Sequence, residues 1–320
     1  MLKKIDMRDA FFEYLVQKAT HDERIIVLSA DHGAFALEKF AKELPDRYIN
    51  IGISEQNMVS VAAGLALSGK IVFIYGISPF VSLRVLEQLT IDIAAMQLSV
   101  NVISVGAGFT YSTDGPTHQG LQDVAAISTI PGMTILNSSD PLNTKSFIDI
   151  AISELKPNYI RIEKEKLPEF SRDQKLRFDT SAGYSFLRNS NSKTLLISTG
   201  ITSHYALAAS DYFKESKNLD IDVIDLFRIK PIPDGLIREL DHFAKVIVLE
   251  EAYRSVIGLS LAQSILETKL KIDFSVLDCG EKYYFKGASR EVMSEIAGMS
   301  QTKIIEFIAK KIEVVDAKNQ

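Results

Sequence analysis

Tryptophan is absent, and a single cysteine, Cys279, excludes any disulfide within the chain. Nine prolines and 17 glycines among 320 residues are too few for a collagen-like or low-complexity polymer. No apolar run approaches the roughly 20 residues that a membrane-spanning helix needs. The first eight residues, Met1 to Arg8, are polar and lack the apolar core of a secretion signal. Basic clusters are missing too. The formal charge is -5, and the run Glu163-Lys164-Glu165-Lys166 neutralises itself, which argues against a nucleic-acid binder. These absences leave a cytoplasmic globular protein, long enough for two domains of about 150 residues each.

What is present is alternation. Short β-branched runs at 25–29, 71–75, 101–105, 134–136, 159–162, 194–198, 222–226, 246–249 and 274–278 predict strands. Amphipathic or small-residue stretches at 7–19, 34–43, 55–68, 83–97, 141–154, 205–214, 258–268 and 301–311 predict helices between them. That order implies βαβ units and mostly parallel sheets covered on both faces. The fold class is α/β, with two domains, each a mostly parallel sheet flanked by helices. The charged stretch 164–180, which contains Pro168, marks the division, with domains at 1–170 and 171–320. Ligands on such sheets bind beyond the carboxyl ends of the strands, so the loops after positions 29, 75, 105 and 198 are the ones to inspect.

Two segments in those loops carry chemistry. In Ile53-Ser54-Glu55-Gln56-Asn57, Ser54 is suited to cap the helix that follows, and Glu55 falls in its first turn, where the helix dipole favours a carboxylate. Alone, this is ordinary capping. The second segment runs from Gly106-Ala107-Gly108 to Asp114-Gly115-Pro116-Thr117-His118-Gln119-Gly120. Its glycines permit close backbone approach, and it offers an acid and one of only five histidines. His32, beside Asp31 at the end of the first strand, faces the same sheet edge.

Taken together, these segments resemble the transketolase superfamily. Residues 53–57 and the small-residue helix after them resemble its coenzyme-activating segment, and Asp114 to Gln119 its substrate loop. Pro79-Phe80-Val81-Ser82-Leu83-Arg84 with Glu87-Gln88 resembles the aromatic segment of split bacterial transketolases. Met133-Thr134 to Asp140-Pro141, Asp225 to Pro233 and Leu249-Glu250-Glu251 extend the likeness to roughly residues 6–310.

The resemblance implies a pyrimidine-binding domain followed by a transketolase C-terminal domain. It implies thiamine diphosphate as coenzyme, with Mg²⁺ held by an N-terminal subunit that carries the diphosphate-binding domain, in an α2β2 heterotetramer. The metal-binding Gly-Asp-Gly segment of the family has no counterpart here. Glu55 matches the acid that activates the coenzyme, and Phe80 the aromatic packed on its pyrimidine. His118 matches a histidine that binds substrate oxygens and shuttles protons, Asp114 an acid on a sugar hydroxyl, with Gln119 assisting. Arg8 and Lys164 fall near positions that bind the substrate phosphate.

Three departures bear on the substrate. Gly106 stands where the family has a phosphate-contacting histidine, Phe35 stands near a family serine, and Lys164 replaces an arginine. A lysine offers a point charge in place of a bidentate fork. The implied activity is transfer of a two-carbon ketol unit between sugar substrates. The alternatives are a 1-deoxyxylulose-5-phosphate synthase-like or 2-oxoacid dehydrogenase β-like subunit, or a non-catalytic interaction subunit.

Overall fold

A computed structural model describes residues 3–170 and 179–316, with side chains to residue 312. The expected domain division at 170/171 borders the segment 171–178, which lies outside the described residues.

A seven-stranded sheet has the order Arg228–Lys230, Thr134–Asn137, Asn158–Ile162, Val100–Val105, Ile71–Ile77, Ile25–Ser29, Tyr48–Asn50. Six strands are parallel, and Arg228–Lys230 runs antiparallel at one edge. The strand periodicity of two sorts side chains onto opposite faces. Ile26 and Leu28 join one core, while Ile25 and Val27 join the other. Helices Met7–His21, Phe35–Glu43 and Pro141–Glu154 cover the second face, bringing Phe11, Phe12, Phe40 and Phe147 into it. Helix Glu55–Leu67 covers the first face, and Ala62 and Ala63 let it lie close to the sheet.

A second, five-stranded sheet has the order Asp273–Leu277, Lys245–Leu249, Thr194–Ser198, Asp222–Leu226, Tyr184–Arg188, with only the last antiparallel. Helices Ile201–Lys217 and Gln301–Asp316 cover one face. Its other face carries Leu195, Ile197, Leu226 and Val246 into the same core as Ile26 and Leu28, so one apolar body spans both sheets.

The nine expected strands are all present. The expected helix at 83–97 is replaced by a short α-turn, Leu86–Gln88, that passes into a π-helical turn, Leu89–Ala94. Such π segments are rare and concentrate near functional sites. The short strands Lys4–Asp6, Lys166–Pro168 and Arg228–Lys230 were not predicted. Each has only three residues, and pairing with a distant partner creates it.

Candidate active site

The loops after the parallel strands converge at one end of the seven-stranded sheet. Asn50 organises the first of them. Its Oδ1 accepts from the backbone N–H of Asp31 (3.2 Å) and of Gly52 (3.0 Å), and its Nδ2 donates to Asp31 Oδ1 (3.3 Å). This holds Asp31 at a left-handed φ of 59° and sets the ring of His32, half-buried, beside the sheet end.

Ser54 occupies the position before helix Glu55–Leu67, but its hydroxyl makes no cap; it donates to the carbonyl of Ile51 at 3.0 Å. Glu55 opens the helix and is 3% exposed. One carboxylate oxygen, Oε2, lies 2.8 Å from a guanidinium nitrogen of the exposed Arg84. The other, Oε1, is buried and finds no partner among the described residues.

Phe80 sits in the turn after Ile71–Ile77, its N–H donating to the carbonyl of Ile77 at 2.9 Å. Gly76 makes that turn possible, because a Cβ there would lie 2.5 Å from a methyl of Val81. The Phe80 ring is the hub of the site. His118 meets it edge-on at 5.1 Å between centroids, His32 lies tilted at 5.9 Å, and the Arg84 guanidinium stands 4.2 Å over its face. Residues far apart in sequence, 32, 55, 80, 84 and 118, thus form one cluster.

Reciprocal backbone hydrogen bonds of 2.9 Å between Gly108 and Gly120 close the loop that carries His118. Within it Asp114 is exposed, ending a short 3₁₀ turn at Ser112–Asp114, and Gly115 turns the chain at a φ of 77°. His118 Nδ1 lies 3.0 Å from the Thr117 hydroxyl. Gln119 is directed elsewhere: it is buried and donates to the carbonyl of Tyr284 at 3.1 Å, bracing the loop against the second domain.

Lys164 stands by a residue that sequence reasoning missed, Tyr111, with which Arg8 also interacts electrostatically. The Lys164 ammonium stands 4.8 Å from the Tyr111 ring centroid. Gly106, at a φ of 100°, lies beneath that ring, and a Cβ there would come within 2.6 Å of Tyr111 Cδ2 and Cε2. The departure at Gly106 therefore has a physical partner: the tyrosine ring fills the space a side chain at 106 would need. Arg8 is already gripped by Asp6, which accepts from Nε at 3.2 Å and from Nη2 at 3.0 Å. Burial opposes the charge on Arg8, yet the Asp6 contact keeps its proton affinity above the usual arginine value. Phe35 is 77% exposed.

Arg84 was part of a recognised segment but had no assigned role. Its pairing with Glu55 spans 29 positions and leaves no periodic trace in the sequence.

The chain belongs to the transketolase family. The family model for the transketolase pyrimidine binding domain matches residues 3–169, and that for the transketolase C-terminal domain matches residues 183–304. An apulose-4-phosphate transketolase subunit of Phocaeicola vulgatus is 29% identical over 96% of this chain and 98% of its own length. The 6-deoxy-6-sulfo-D-fructose transketolase subunit of a Clostridium species is 32% identical over 79% of this chain and 77% of its own length. A solved split-gene transketolase, described as an inactive β4 tetramer, superposes with a TM-score of 0.83 at 26% identity, covering 97% of this chain and 99% of that one. The chain is thus a transketolase-type transferase subunit, made for two-carbon ketol transfer in a family that uses thiamine diphosphate. No helix among the described residues is long and apolar enough to cross a membrane.

Proposed function

We propose that this subunit supplies the pyrimidine side of a thiamine diphosphate site completed by a partner subunit, and transfers ketol units between sugars that carry an anionic end group. The single observation that supports this most is Glu55: a buried carboxylate with one unpartnered oxygen, set beside a half-exposed aromatic ring. An orphaned buried acceptor is costly unless something docks against it. An aminopyrimidine fits this place in chemistry, with a ring nitrogen for Glu55 and a face for Phe80. When bound, the coenzyme supplies the electron sink for carbon–carbon cleavage. Glu55 holds and exchanges a proton at the pyrimidine nitrogen, as a positioned general acid/base. Phe80 fixes the ring plane, and Arg84 withdraws from both to admit it.

His118 binds a substrate oxygen and moves its proton, and Asp114 accepts from a sugar hydroxyl. Arg8 and Lys164, which both interact with Tyr111, receive the anionic group, with Gln119 holding the loop in place. Mg²⁺ and the diphosphate fall to the partner's domain. The complex is an α2β2 heterotetramer in the cytoplasm, and this subunit divides at 170/171 into its two domains. The exposed apolar side chains Ile53, Leu67, Leu83 and Ile91, on and beside the helices that frame the site, suit a surface that a partner covers.

Calorimetric titration of thiamine diphosphate with Mg²⁺ tests this reading, first into the chain alone and then into its complex with the partner. Binding only to the complex is expected. Tight binding to the chain alone would misplace the diphosphate site, and no binding to either would remove the coenzyme from the account.

A further inference from the structure

His32 has no role in the mechanism above, yet its ring touches the hub of the site. It lies 5.9 Å from Phe80, on the loop that Asn50 and Asp31 fix. Its two nitrogens face different surroundings. Nδ1 is buried and has no hydrogen-bond partner among the described residues; it points toward Gly76, where an added Cβ would lie 3.9 Å away. The ring as a whole is only half-buried, which leaves Nε2 as the accessible nitrogen.

Chemistry then selects the tautomer. A proton on Nδ1 would be a buried donor with nothing to receive it, and the imidazolium would add an uncompensated charge. A bare lone pair on Nδ1 costs least, so the proton sits on Nε2. The charged groups facing the ring are Glu55, Asp31, Arg84 and His118. Burial opposes the imidazolium most, Glu55 and Asp31 favour it, Arg84 and His118 oppose it, and the balance lowers the proton affinity of His32.

We propose that His32 is a substrate-binding residue: an imidazole with a bare, buried Nδ1 that presents its Nε2–H to an oxygen of the bound sugar. A neutral imidazole in such a place can polarise an oxygen without giving up its proton. It would thus differ in kind from His118, whose Nδ1 is within reach of a hydroxyl and whose ring meets Phe80 edge-on. The inference rests on the proposed ketol-transfer site, and its test separates the two.

Long-range ¹⁵N–¹H NMR on histidine-labelled full chain, assigned with His32→Gln, reads the tautomer directly. The expected result is a predominantly neutral form above pH 6.5, with Nδ1 bare and Nε2 protonated. A proton on Nδ1, or an imidazolium that persists above pH 6.5, overturns the proposal. In the reconstituted complex, His32→Leu is expected to lower kcat/KM at least about tenfold, with coenzyme affinity held within about threefold. His32→Gln, which keeps an N–H donor, recovers part of the loss. The donor proposal fails if His32→Leu retains full kcat/KM. A wild-type complex that binds coenzyme but transfers no ketol unit would sink the function reading instead, whatever the tautomer.

Discussion

Glu55 and Glu251 are nearly equally buried, 3% and 4% exposed, and each pairs with an arginine. Their surroundings differ in completeness. Both oxygens of Glu251 are engaged, accepting from the Phe109 N–H at 3.2 Å, the Ser294 hydroxyl at 3.4 Å and the Arg290 guanidinium. Arg290 also donates to Glu163 and Thr110, so the cluster ties the loop that carries His118, the first sheet and the second domain together. Glu55 has one partner, an exposed arginine, and one oxygen with none among the described residues. Burial and charge alone do not separate these two carboxylates; the unpartnered oxygen of Glu55, at the sheet end that carries Phe80 and His118, does. The histidines repeat the lesson. His204 Nε2 donates to the carbonyl of Ser139 at 2.7 Å and its ring stacks on Phe170 at 4.2 Å, while His32 keeps a bare buried nitrogen.

Substitution can break this contrast. Arg290→Met leaves Glu163 and Glu251 buried without their cation, and should destabilise the fold by about 3–5 kcal/mol, read as a lower urea midpoint. Glu55→Gln should do the reverse. Loss of a positioned acid/base should reduce ketol transfer by about 10³-fold, while the urea midpoint stays near that of the parent. If the two variants exchanged phenotypes, the division drawn above would be wrong. His118→Asn should lower kcat/KM by about 10²-fold without weakening the coenzyme, as calorimetry would report. Arg84→Ala should change stability by less than about 1 kcal/mol, because the arginine of this ion pair is exposed and water can take its place, and it should bind the coenzyme at least as well as the parent.

The smallest effect concerns pH. Burial lowers the proton affinity of His204 below the ordinary histidine value of 6.5. Its neutral form therefore contributes stability above pH 6.5, and that contribution is lost as pH falls through the depressed value. His204→Asn should flatten the slope of stability against pH below 6.5, as thermal unfolding across a pH series would measure.

Much of the fold was legible because uniformly apolar strands and alternating helices report the two-sided burial of a parallel sheet. All nine predicted strands exist, since nearly all of them bury their own side chains. Among the elements that escaped, some are made by their partners: Arg228–Lys230 is a strand only because Thr134–Asn137 lies beside it. The strand Tyr184–Arg188 and the helices Asp123–Ser128, Asp234–Glu239 and Arg290–Ala297 also went unpredicted. Within the site, Glu55, Phe80 and His118 could be named from motifs, and the structure gathers them. Arg84 and Tyr111 could not, because each acts through space on a residue distant in sequence or conspicuous only as a glycine. Ser54 misled for a local reason: its hydroxyl turns back to the Ile51 carbonyl and leaves the helix end to the loop.

Arg228–Lys230 has a further bearing. It leaves the second sheet right after Asp222–Leu226 and finishes the edge of the first, where a bare strand would invite association with other chains. The two domains therefore do not behave as exchangeable cassettes. Recombination that traded the second domain alone would import a foreign border for the first, and a gene cut between Ile162 and Arg228 would leave that border unsewn.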